Sequence, residues 1–159
     1  MPGYTPGFLD RLLGAEVGAP DARPAAVAEQ LKDAVARDLE ALLNTRLGYA
    51  PGIFARYPEC RNSVLNYGLV DFAGYCLSSD DDRAAVCAAL TAAIGRHEPR
   101  LRRVDARLDL AEGSVNHLNF VISGVLQMPA GAESVSFNAV LQPSTMQYAI
   151  GRARSSSPR

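Results

Sequence analysis

The sequence contains no tryptophan, only three cysteines and two histidines, and no apolar run near the roughly 20 residues that a membrane-spanning helix requires. Each absence excludes something. Without tryptophan the best sugar-stacking side chain is missing, which weakens a carbohydrate-processing reading. Cys60, Cys76 and Cys87 form an odd set with no CxxC pair and no closely spaced histidine, so neither a disulfide framework nor a zinc site is signalled. They read as reduced thiols, and no metal or cofactor is expected. A formal net charge of -1 gives no global attraction for nucleic acid or an anionic membrane. The polar start MPGYTPGF has neither a basic nor an apolar signal region, so the expectation is a cytoplasmic protein without direct membrane insertion.

What is present suits one globular domain: 159 residues, 48% hydrophobic and 21% charged. Residues 1–23 are broken by proline and glycine, leaving Phe8, Leu9, Leu12 and Leu13 as a short docking helix in a flexible segment. From Pro24, the residues Val27, Leu31, Val35, Leu39, Leu42 and Leu43 recur every three or four positions, which predicts a helix ending near Arg46 with one core-facing stripe. The stretch from Tyr49 to Leu77 is too rich in proline and glycine for a long element, with one helical turn at Ser63 to Leu65. A second helix starts at a Ser78 or Ser79 cap with Asp80, Asp81 and Asp82 at its positive end, buries Val86, Leu90, Ala93, Ile94 and His97, and stops at Pro99.

Beyond Pro99 the period becomes 2. Val104, Ala106, Leu108 and Leu110, then Leu118, Phe120, Ile122, Leu126 and Met128, then Val135, Phe137, Ala139 and Leu141 alternate with polar residues. This predicts a three-stranded antiparallel meander with one apolar face covered by the two helices, an α+β fold. The domain is expected to span 24–142, and 143–159 to be a disordered tail.

Chemistry-bearing clusters are sparse. A glycosidase needs two carboxylates across a cleft, and Glu59, Asp71 and Glu98 are candidates by count alone. A Cys–His nucleophile is no stronger, because Cys87 falls on an apolar helix face and His97 and His117 belong to different elements. Arg96, Arg100, Arg102, Arg103 and Arg107 are interleaved with Glu98, Asp105 and Asp109 and lack an aromatic platform, so no nucleic-acid partner is expected. No small-molecule substrate is indicated. A free regulatory adaptor remains an alternative.

Three segments, in order, are more specific: LLNTR at 42–46, YPECRNSVLNYGLVD at 57–71 and HEPRL at 97–101. Together they resemble the contractile-tail baseplate wedge family, within it the TssE-like proteins of type VI secretion, a family also labelled lysozyme-like. The resemblance implies a non-catalytic structural component that joins wedge subunits, helps start polymerisation of the contractile sheath and works at a baseplate docked on the cytoplasmic side of the inner membrane. Asn44, Arg46, Tyr57, Pro58, Arg61, Asn66, Tyr67 and Gly68 stand in its structural motifs. Asn66 and Gly68 suit a tight turn, and Tyr67 can anchor it. Arg46 and Arg61 could pair internally or face a partner.

Glu98 and Arg100 flank the stiff Pro99 junction, and residues two apart in extended chain point to the same side. From three residues alone an internal salt bridge is the simpler reading. The resemblance implies instead that Glu98, Pro99 and Arg100 contact the wedge subunits. A second partner site follows from the third strand, Ser134 to Gln142, which carries no charge. As a sheet edge, its Ser136, Asn138 and Val140 would template an added strand from a sheath protein; alternatively the tail or the N-terminal segment covers it.

Overall fold

The computed structural model describes residues 24–49, 52–72, 74–76, 79–109, 118–128, 131–142, 144–145 and 147–152. The docking helix expected at Phe8 to Leu13 lies outside them. Helix α1, Pro24–Asn44, buries Leu31, Val35, Leu39, Leu42 and Leu43 along one stripe, as the 3.6-residue period requires. A single helical turn, α2 (Ile53–Arg56), and two 3-10 turns, Pro58–Asn62 and Val64–Asn66, make up the irregular stretch. Helix α3, Asp80–His97, starts at Ser79, whose Oγ accepts from the Asp82 amide at 3.5 Å. Asp80 to Asp82 at its start and Arg96 and His97 at its end complement the helix dipole. Its buried stripe is Val86, Leu90, Ala93 and Ile94.

The fold is α+β, but the sheet has four strands rather than three: β1 (Leu101–Asp109), β2 (Leu118–Met128), β3 (Gly131–Gln142) and β4 (Gln147–Arg152), antiparallel in the order β1-β2-β3-β4. The expectation of a disordered tail is therefore corrected for 147–152. Those residues form β4 against Phe137–Gln142. Two consequences follow for the proposed sheath-binding edge. β3 is an inner strand, and Asn138 and Val140 lie within its ladder, opposite Gly151 and Ala149.

Phe120, Ile122, Leu126, Phe137, Ala139, Leu141 and Tyr148 share the inner face of the sheet, where α1 lies beside β4 and α3 beside β1. Leu101 and Ala106 are both buried although their spacing is odd. A bulge between Arg102 and Asp105, with Arg103 at φ 53°, supplies the extra residue that resets the alternation. Gly124 faces Leu101 at this point, and a Cβ there would come within 2.9 Å of the Leu101 Cγ. The close approach needs glycine.

Helix side chains occupy several outward backbone groups of both outer strands. On β4, the Asn44 amide donates to the Tyr148 carbonyl at 2.8 Å and accepts from the Tyr148 amide at 2.7 Å, while Glu40 accepts from the Ile150 amide at 2.9 Å. On β1, Thr91 Oγ1 accepts from the Ala106 amide at 3.2 Å, and the Leu108 backbone bonds the Cys87 thiol, whose pKa burial pushes up. Asn44 thus acts as a surrogate peptide of a fifth strand. Asn44→Ala is expected to cost about 1–3 kcal/mol by leaving two backbone groups unpaired, with hydrogen exchange accelerated first at Tyr148; unchanged exchange across β4 would contradict the clamp.

Candidate interaction surface

The corner between α3 and β1 is built by Pro99, which ends the helix and directs the chain into the sheet. Glu98 is only 3% exposed. Arg100 returns to it: the Arg100 backbone N–H and Nε both donate to Glu98 Oε1, at 3.1 and 2.7 Å, and Nη2 reaches Glu98 Oε2. The same Nη2 also donates to Asp38 Oδ2 of α1. The expectation that Glu98 and Arg100 present an acid and a base outward is corrected for Glu98. The pair meets, as spacing two apart requires, but it is turned inward and locks the corner to α1. Pro99 alone of the three is exposed.

Burial works against charge on Arg100, yet its hydrogen bond and proximity to Glu98, and then those to Asp38, outweigh it and hold the guanidinium well above the ordinary arginine value. Arg100 Nη1 is buried with no hydrogen-bond partner among the described residues. Tyr67 packs edge-on against His97 with ring centroids 5.3 Å apart. Burial, then Asp38 and Glu98, push its phenol up. Burial pushes His97 down, opposed by its bond to the Asn66 carbonyl at 2.8 Å; the bond requires the proton on Nε2. The second and third distinctive segments therefore meet at α3's C-terminal end.

Several of the remaining motif residues hydrogen-bond within the fold. Asn66 is buried and donates to the Arg61 carbonyl at 2.8 Å. Gly68, at φ 123°, lets Leu69 bond the Thr45 carbonyl at 2.9 Å beside the Arg46–Leu69 bridge. Arg46 Nη1 donates to the Leu43 carbonyl at 3.2 Å, and Arg61 Nε to the Phe54 carbonyl at 3.3 Å. Tyr57 and Pro58 are exposed. Asp38 is the member that sequence reasoning missed: it stands 62 positions from Arg100, and its only local sign is its place beside the stripe residue Leu39.

The carboxylates considered for a glycosidase do not assemble. Glu98 is tied to Arg100, while Glu59 and Asp71 are exposed on the irregular stretch. No group of three metal-ligating side chains occurs among the described residues, and none of their helices is long and apolar enough to cross a membrane.

The model of the family described as baseplate wedge protein gp25 matches residues 29–130. The chain belongs to the baseplate wedge protein gp25 family. The match runs from α1 through β2, so it includes all three distinctive segments and the Asp38–Glu98–Arg100 corner, and stops just before β3. Membership makes this gp25-family chain a baseplate component, and other baseplate subunits its partners. No curated protein matches the chain.

Proposed function

We propose that the chain is a non-catalytic structural subunit of a type VI secretion baseplate, on the cytoplasmic side of the inner membrane, joining wedge subunits and helping to start sheath assembly. The family match over 29–130 carries the reading. The order of the LLNTR, YPECRNSVLNYGLVD and HEPRL segments supports the type VI branch. The inward ion pairing of Glu98 favours a structural over a glycosidase role, because a general acid must reach its substrate.

Strand addition for the sheath has a narrower place than Ser136, Asn138 and Val140 together. β4 pairs with β3 only from Phe137 to Gln142, so 131–136 has no strand partner on that side among the described residues. Antiparallel alternation fixes which groups point there. Tyr148 turns its amide and carbonyl to Asn44, so Leu141 opposite it bonds β2, and the groups of Ala132, Ser134 and Ser136 face the open side.

Val140→Pro would now break an internal ladder; Ser134→Pro removes an outward donor instead. Ser134→Pro is expected to keep the fold within about 1 kcal/mol, to remain associated with wedge subunits on co-purification and to abolish sheath polymerisation. Normal sheaths would end the strand-addition role, and recovery with one soluble client in place of wedge subunits would end the baseplate reading.

A further inference from the structure

A cavity of about 310 Å³ opens between α3 and the irregular stretch, walled by Phe54, Leu69, Ala89 and Ala92. Its only charged lining residues are Arg61 and Arg96, and neither forms an ion pair among the described residues. The Phe54 carbonyl holds the Arg61 Nε at 3.3 Å, which fixes that guanidinium at the rim. Five of the six large apolar side chains exposed among the described residues, Tyr49, Ile53, Tyr57, Val64 and Leu65, belong to the segment that supplies Phe54 and Arg61. Val64 is 76% exposed. Exposed apolar side chains concentrated on the segment that walls a concave site carrying two cations fit a protein-docking surface.

We propose that this cavity receives a bulky apolar side chain from an acidic segment of a neighbouring wedge subunit, whose Asp or Glu residues pair with Arg61 and Arg96. The alanines of α3 leave the volume that the anchor fills, and two cations without a facing carboxylate select acidic flanks. Its lining includes neither Glu98, Arg100 nor any residue of β3. It rests on the baseplate reading only for the source of its partner.

The test places a photo-crosslinking benzophenone amino acid at Val64 of the full chain in cells that assemble the baseplate, with the crosslinked peptide sequenced. The expected product is a wedge-subunit segment with a bulky apolar residue and Asp or Glu within one helical turn of it. Its yield should fall about tenfold or more in an Arg61→Glu/Arg96→Glu variant, fall equally in Ala92→Phe, which fills the cavity, and persist in Arg61→Lys/Arg96→Lys. All three altered positions are exposed, and an unchanged thermal transition in each variant controls for folding. Crosslinks to residues 1–23 of the same chain, to a second copy, or to a segment lacking acidic residues overturn the proposal, as does a yield indifferent to charge reversal. Co-purification of the unaltered chain with wedge subunits separates the two readings. A chain that enters the baseplate without the expected crosslink removes the cavity site alone, and one that does not enter removes both.

Discussion

Arg100→Ala is expected to destabilise the fold by about 3–5 kcal/mol, measured by urea unfolding. The reason is what remains. Glu98 and Asp38 keep their places, with side chains 5% and 15% exposed, and lose the guanidinium they share. A domain of this kind has only about 5–15 kcal/mol in total, so the loss is large. Arg100→Lys should fall between, because an ammonium cannot reproduce the fork that engages Glu98 through Nε and Nη2. The decisive comparison is an Asp38→Asn/Glu98→Gln/Arg100→Met variant. It should recover much of the stability lost in the single variant, because no buried charge is left unmatched. If it folds yet fails to join wedge subunits, the corner also serves recognition; if it joins normally, its role is confined to holding α1 against the α3–β1 junction.

The second large effect concerns Gly68. A Cβ there would stand 2.6 Å from the Thr45 carbonyl oxygen, and φ is 123°, outside the range that L side chains readily adopt. The obstacle is backbone, so a rotamer change cannot relieve it. Gly68→Ala is expected to cost about 2–5 kcal/mol, combining dihedral strain with overpacking. Its signature is local: the Leu69 amide to Thr45 and the Leu47 amide to Leu69 bonds should open first, so early hydrogen exchange at Leu47 and Leu69 checks the assignment. Exchange no faster than wild type there, with full stability, would refute it.

The elements that could be read from the sequence are those with enough repeats to establish a period. α1 shows its stripe over 21 residues, α3 carries its own start signal in Ser79 and Asp80 to Asp82, and β2 and β3 alternate over 11 and 12 residues. β4 escaped because QYAIGR offers only Tyr148 and Ile150 as inward residues, between Gln147 and Gly151. Two apolar positions do not define a period, and the strand is held by Asn44 and Glu40, whose partnership no local pattern announces. The site divides the same way. Spacing of two and a proline between them predict that Glu98 and Arg100 meet. Which way they turn depends on Asp38, brought from α1 by the tertiary fold. The turn role of Asn66 and Gly68 was legible because it belongs to backbone chemistry within a few residues.

The sealing of both sheet margins by Asn44, Glu40, Thr91 and Cys87 bears on how the molecule would behave at high concentration. Copies zip together less readily through β1 or β4, since the amides of Ala106, Tyr148 and Ile150 are already engaged. Among the described residues, 131–136 is the stretch of an inner strand that lacks a neighbouring strand on one side. Margins engaged in this way disfavour edge-to-edge association, which works against the molecule polymerising with itself.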